Sequence, residues 1–435
     1  EMSSKSLNLS ELSLRIEIDP EHTNSSFDKI FFTLKSGEEF QVENSLKFQL
    51  EGVLSESDTI GIKESGNTDF AVVKFDKAVV SSAVFTKNLC PSFTVADGRR
   101  VVEKNDIKLL AVVSGNAIVF SPRGEESVAV IKEALSESYQ VGVDQILLSA
   151  TGKIGFPLDN HLVGDNIKNR AVDLKENNLD SLAAGILTTD LGAKSASVKI
   201  GDTVIAAACK GAGMIEPNMA TMLCYVFTNY KLTKSQIDEA LSFAVKNSFN
   251  AISIDHDTST NDTTALFSTS DVEDISFEDF KIALRAICVK LARDMVSQGE
   301  GVTKLIDCLV KSPSEKASKN IGKSIINSPL MKSAIYGGDP NWGRIVMSVG
   351  KTWDVGLEEY SVDDIRLGLA VYIQDVCVYD RGVVLDINFD ALAAELKFNK
   401  NVAIRVELLN KMSSFRVWGS DLTEEYVKIN ALYTT

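Results

Sequence analysis

Residues 220–228 are nearly all apolar, and a strand of that kind needs cover on both faces. Other strands declare themselves by alternation. Leu14, Ile16 and Ile18, then Ile30, Phe32 and Leu34, then Leu46, Phe48 and Leu50 recur at every second position between mostly polar neighbours. That period marks half-buried strands. Short apolar runs follow at 70–75, 78–80 and 109–113, residues 127–139 read as a helix leading into the run 146–148, and a strand turn is expected at Lys210. Thr233-Lys-Ser-Gln236 has capping-box form, with Ile237, Leu241, Ala244, Val245 and Phe249 on one helical face. Ser276 starts a second helix, with Phe280, Ala283, Ile287, Leu291 and Met295 on its apolar side and Gly299 placed to end it. The polar residues 312–319 predict a surface connection. Strands and helices alternate without internal repeats, so the class is α/β or α+β.

Composition narrows the functions. The 435 residues suggest two or three packed units, at about 150 residues per domain. Lys and Arg total 45 against 60 for Asp and Glu, a formal net charge of -15. Such a surface repels phosphate backbones and anionic lipid heads, which argues against nucleic acid and membranes as partners. No apolar stretch reaches the ~20 residues of a membrane span. The first twenty residues carry Glu1, Glu11, Glu17 and Asp19 against Lys5 and Arg15, unlike a secretory signal or an Arg-rich transit peptide. The six cysteines include no Cys-x-x-Cys pair and read as small core residues in a reducing compartment. His22, His161 and His256 lie far apart in sequence, so no zinc site is expected. The expectation is an acidic cytoplasmic protein.

Several catalytic motifs fail. No Gly-x-Ser-x-Gly occurs, neither Gly322-Lys-Ser324 nor Gly350-Lys-Thr352 has the upstream glycine of a phosphate loop, and Gly211-Ala-Gly213 meets Glu216 where a dinucleotide fingerprint needs glycine. Asp255 and Asp257 have the spacing of carboxylates that hold Mg²⁺. A calcium loop would need glycine where Thr260 stands, and a self-bonded turn explains the segment as well. The most unusual stretch is Lys210-Gly-Ala-Gly-Met-Ile-Glu-Pro-Asn-Met-Ala-Thr-Met-Leu223. A threonine hydroxyl needs a base to become a nucleophile. Cutting the Ala220–Thr221 bond would give Thr221 a free α-amine with a pKa of roughly 7.7–8.0, able to take its own hydroxyl proton. The alternative is a β-branched residue placed in a strand for its shape.

That stretch resembles the cleavage and nucleophile motif of the ornithine acetyltransferase (glutamate N-acetyltransferase) family of arginine biosynthesis. The resemblance continues in order through Gly61-Ile-Lys63, Ala150-Thr-Gly-Lys-Ile-Gly155, Leu187-Thr-Thr-Asp190, Asp257-Thr-Ser-Thr-Asn-Asp262, Gly299-Glu-Gly-Val-Thr-Lys304, Asp339-Pro-Asn-Trp-Gly-Arg344 and Tyr426-Val-Lys-Ile-Asn430. It covers roughly residues 60–435. It implies an α/β fold of mixed sheets layered with helices, an N-terminal-nucleophile-like sandwich related to the ornithine acetyltransferase/aminopeptidase fold, with a smaller α+β C-terminal subdomain. The divisions it suggests are an extra strand-rich piece at 1–55, a first catalytic fragment at 56–220, the second half of that domain at 221–310, and the C-terminal subdomain at 311–435, its terminus returning to the active site.

In this family the precursor cuts itself before the threonine. The matching positions imply cleavage between Ala220 and Thr221, Thr221 as nucleophile and N-terminal base, and Thr151 and Gly152 as the oxyanion hole. Thr188, Lys210, Thr221, Glu300, Asn430 and Thr435 match substrate-binding positions. The implied reaction is ping-pong transfer of acetyl from N2-acetyl-L-ornithine to L-glutamate through acyl-Thr221. No metal or cofactor is implied, and acetyl-CoA enters only as a second acyl donor in bifunctional members. Partners are then small amino-acid substrates, and assembly is a heterotetramer of two alpha and two beta fragments. The Asp257–Asp262 motif becomes a structural turn near the site. Residues 1–50 have no obvious counterpart in the family, and Ser114-Gly-Asn-Ala-Ile-Val119 keeps only the first part of a family pattern. The alternatives are a related N-terminal-nucleophile amidase or aminopeptidase, and an uncleaved non-catalytic homologue.

Overall fold

A computed structural model of the chain describes residues 6–19, 24–216, 222–351 and 357–432. The strand Leu223–Tyr230 lies inside a nine-stranded sheet, antiparallel to Thr203–Lys210 and parallel to Thr263–Val272. Its residues alternate between two cores. Cys224 and Val226 meet apolar residues of the helices Lys234–Lys246 and Phe277–Ser297. Leu223, Tyr225 and Phe227 pack in a second core with Val73, Phe75 and Leu147. Cover on both faces is the reason this strand carries almost no polar side chain.

The runs at 70–75 and 78–80 form one strand, Phe70–Phe85. Exposed Asp76 and Lys77 interrupt its apolar pattern, and its pairing with Ile107–Asn116 shifts register there. One half pairs with Val53–Asp58 and Ile107–Asn116, the other with Thr263–Val272. Ile146–Lys153 lies parallel to Ile107–Asn116. The helices Gly124–Tyr139 and Asn160–Asn169 add Ile131, Leu135, Val163 and Ile167 to a third core that also holds Leu109 and Leu148.

Near the start of the chain four strands form an antiparallel sheet, Ser6–Leu9, Leu14–Glu17, Lys29–Thr33 and Glu39–Val42. The third alternating burst, Leu46 to Leu50, is not a strand. Leu46 and Leu50 are buried in the second core, and the Phe48 amide donates to Ser197 Oγ at 3.1 Å. The fourth strand of the sheet is instead Glu39–Val42, which the alternation did not single out.

Helix Phe277–Ser297 is capped by Ser276, whose hydroxyl accepts from the Asp279 amide at 3.1 Å. Gly299 lies just beyond the helix, where a Cβ would sit 2.8 Å from Ile254 Cδ1. The helix is buried along its polar side as well as its apolar one. The turns between the strands of that four-stranded sheet supply the matching polar groups: Arg293 donates to Asp28 at 2.9 Å, Arg285 to the Leu12 carbonyl at 2.5 Å, and Ser25 to Asp294 at 2.9 Å. A seven-stranded sheet with Leu305–Ser312 between Asn401–Leu408 and Ser413–Ser420 completes the layers. After Ser312 the chain turns directly into helix Glu315–Ile326, capped by Ser314, so the polar run at 312–319 is mostly helix N-terminus. The architecture is mixed α/β, with sheets layered against helices as the family resemblance implies. Among the described residues no helix is long and apolar enough to cross a membrane.

Candidate active site

Strand ends and the loops that follow them converge on a cavity of about 230 Å³. Thr151 and Gly152 come from the end of Ile146–Lys153, Lys210 from the end of Thr203–Lys210, and Thr188 from the loop after helix Leu179–Gly185. Glu300 follows helix Phe277–Ser297, and Asn430 lies on helix Glu424–Leu432. All six line the cavity. Ala220, Thr221 and Thr435 lie outside the described residues.

Local geometry dictates two glycines. Gly152 has φ +131°, and a Cβ there would lie 2.3 Å from the Gly115 carbonyl carbon. Any side chain would push the strand that carries Thr151 away from its parallel neighbour, Ile107–Asn116. At Gly213 a Cβ would meet Glu300 Oε2 at 2.4 Å, so the Gly-Ala-Gly turn lets a buried carboxylate lie against the backbone.

The charges are arranged in depth. Lys210 Nζ donates to Thr188 Oγ1 at 3.2 Å. Burial pushes the Lys210 ammonium below its ordinary pKa, against the pull of Asp190, Asp262 and Glu300. Behind it, Asp190 Oδ1 accepts from Lys194 Nζ at 2.6 Å and from the Gly211 amide at 2.8 Å. Burial favours the neutral form of Asp190, but Lys194 and Lys210 hold its carboxyl below the usual range. Lys63 donates to the Leu187 carbonyl at 2.8 Å and so fixes the segment that presents Thr188. Also lining the cavity, Glu300 Oε2 accepts from Asn430 Nδ2 at 2.9 Å. The cavity lining therefore offers an ammonium beside a hydroxyl and a carboxylate beside an amide. That pairing suits a small zwitterionic ligand.

Asp255 is committed to the backbone. Oδ2 accepts from the Met214 amide at 2.8 Å and the Tyr426 hydroxyl at 3.0 Å, and Oδ1 accepts from the Ile215 amide at 2.8 Å. The segment that spacing alone would allow as a Mg²⁺ loop thus anchors the turn entering residues 217–221. Among the described residues no group of three or more His, Cys, Asp or Glu could hold a metal. Asn261 Nδ2 donates to the Ala117 and Ala150 carbonyls at 2.7 and 2.8 Å, tying the Thr151 strand end to its neighbour.

The residue pattern missed Asp190, Lys194, Asn261 and Tyr426 as site-builders. The signal for Asp190 was its place in Leu187-Thr-Thr-Asp190; Lys194 carries none, since its partner becomes visible only in three dimensions.

Fold and site define the class: a layered mixed α/β protein with a charged, buried cavity sized for an amino acid. Residues 55–435 match the model of the ArgJ family. An arginine biosynthesis bifunctional protein ArgJ 2 of Clostridium acetobutylicum is 39% identical over 86% of this chain and 95% of its own length. A glutamate N-acetyltransferase of Methanocaldococcus jannaschii is 35% identical, covering 86% of this chain and 96% of its own. A crystal structure of the Bacillus halodurans arginine biosynthesis bifunctional protein argJ aligns at 30% identity with a TM-score of 0.44, over 48% of this chain and 98% of that one. The chain belongs to the ArgJ family.

Proposed function

We propose that this chain is a glutamate N-acetyltransferase of arginine biosynthesis, moving acetyl from N2-acetyl-L-ornithine to L-glutamate. The observation that carries this reading is the convergence of Thr151, Gly152, Thr188, Lys210, Glu300 and Asn430, distant in sequence, on one cavity. Family membership and the named activities of its relatives support the same reaction.

In the proposed mechanism the Ala220–Thr221 bond is cut first, giving Thr221 a free amine. That amine takes the Thr221 hydroxyl proton as the oxygen attacks the acetyl carbon. Thr151 and Gly152 donate to the oxyanion, the tetrahedral intermediate collapses with loss of the carbon–nitrogen bond, and the departing ornithine nitrogen takes the proton. Glutamate then attacks the acetyl ester by the reverse sequence. Lys210 and Thr188 receive the substrate carboxylate, and Glu300 with Asn430 receives its side-chain ammonium. Thr435 and a heterotetramer of cut fragments belong to the same proposal, as does a cytoplasmic setting; acetyl-CoA would be a second acyl donor.

The test combines intact mass, N-terminal sequencing and turnover. Cut protein with threonine at the new N-terminus should form ornithine and N-acetylglutamate only when glutamate is present. Acetate released irrespective of glutamate would favour the amidase reading, and folded protein running as a single 47.3 kDa species would favour the uncleaved one. Thr221→Ala should lose both scission and transfer. Normal turnover by that variant would refute the mechanism.

A further inference from the structure

The helix Glu424–Leu432 contributes Tyr426 and Asn430 to the cavity lining, yet none of its residues is buried. A helix of nine residues is marginal in water by itself, so contacts with its neighbours must hold it in place. Its first turn rests on the loop that carries Glu300. The Thr423 hydroxyl accepts from the Tyr426 amide at 3.2 Å and donates to the Gly301 carbonyl at 2.6 Å, and a Cβ at Gly301 would lie 2.3 Å from the Tyr426 nitrogen. Further along, the Tyr426 hydroxyl donates to Asp255 Oδ2 at 3.0 Å. Burial, and then Asp255 itself, push the phenol above its ordinary range, so the group remains a donor. Asn430 stands one turn on, on the same helical face. Its Nδ2 donates to Glu300 Oε2 at 2.9 Å and to the Tyr426 carbonyl at 3.0 Å. Both amide protons are thereby committed, and Oδ1 is the atom that Asn430 offers a ligand.

We propose that Tyr426 is a positioning residue: its hydroxyl ties the terminal helix to Asp255 and so holds the Asn430 amide on Glu300, leaving Oδ1 to accept from a substrate ammonium. The proposal rests on the reading above and adds a residue to it. Asp255 is a fixed point for this purpose, because Oδ1 accepts from the Ile215 amide and Oδ2 from the Met214 amide, each at 2.8 Å. Those amides follow Gly213, against whose backbone Glu300 lies. One carboxylate therefore sets the turn beside Glu300 and, through Tyr426, the helix that brings Asn430 to it. A carboxylate and a carbonyl oxygen held together fix the direction of an ammonium better than a carboxylate alone. In N2-acetyl-L-ornithine that ammonium lies at the far end of the side chain from the acetylated nitrogen. Loss of the tie should therefore weaken capture of the donor rather than the chemical step.

Tyr426→Phe removes one oxygen and keeps the ring, which packs at the edge of the core. The variant should fold as the wild type does, with KM for N2-acetyl-L-ornithine raised roughly tenfold and kcat little changed. The deciding test is a double-mutant cycle with Asn430→Ala. If Tyr426 acts through Asn430, Tyr426→Phe adds nothing to KM once the Asn430 amide is gone. Effects that multiply would overturn the proposal, making Tyr426 a substrate contact or a support of the fold alone. So would an unaltered KM, or a loss confined to kcat. Should Tyr426→Phe fail to fold, hydrogen exchange in the ligand-free wild type decides. The amides of residues 428–432 should be protected roughly tenfold or more over an unstructured chain, and exchange at the unstructured rate overturns the tie. Wild type that leaves N2-acetyl-L-ornithine unchanged in the presence of glutamate would instead sink the functional reading itself.

Discussion

Asp190 links the stability of the site to its charge pattern. Its Lys194 partner is wholly buried, and a buried ammonium stripped of its carboxylate is far more costly than a surface one. Asp190→Asn should lower stability in urea by about 3–5 kcal/mol, a loss that unfolding curves will resolve. Lys210 and Glu300 differ, because each lines the cavity with one direct side-chain hydrogen-bond partner among the described residues, Thr188 or Asn430. Lys210→Ala and Glu300→Ala should raise KM by roughly tenfold or more, the worth of one charged hydrogen bond, with a smaller change in kcat. Unaltered KM in either variant removes that residue from substrate capture. Gly152→Ala places a methyl on backbone at 2.3 Å, so steady-state assays should find it nearly inactive.

At the scale of elements, the four-stranded sheet and helix Phe277–Ser297 form one packing unit. Arg293 is wholly buried between Asp28, at 2.9 Å, and Asp307, at 3.6 Å. Asp28→Asn should therefore cost about 3 kcal/mol, measured by thermal or urea unfolding, while leaving KM unchanged. The sequence announced this helix well, because its cap and apolar stripe are local properties. It did not announce that Arg285 and Arg293 would be covered, because their partners, the Leu12 carbonyl and Asp28, lie some 270 residues away. The same division holds in the site. Thr151, Gly152, Lys210 and Glu300 could be picked from ordered motifs, whereas Asn261 acts through two carbonyls that no pattern records. The burst at Leu46 to Leu50 misled because alternation reports burial of every second residue, and an irregular segment can bury two leucines as well as a strand can.

At the scale of the molecule, buried lysines set a pH dependence. Burial lowers Lys323 from the ordinary 10.5 to about 8, despite Glu216 at 3.7 Å. Between those values the unfolded chain holds a proton that the folded one has released, so stability from this group rises with pH. Measured against Lys323→Met, wild type should gain up to about 3 kcal/mol from pH 8 to pH 10.5. A flat difference would mean the amine stays charged in the fold.

The ladder between Thr203–Lys210 and Leu223–Tyr230 runs from the pair Ile205–Thr228 to the pair Lys210–Leu223. A missing peptide bond at 220–221 falls outside it and removes none of its rungs. The two pieces then adhere along a noncovalent seam in the middle of a sheet. Coexpressed from separate genes, 1–220 and 221–435 should co-elute on a sizing column and part only in denaturant, so the lifetime of such a split protein is set by strand separation rather than by dilution.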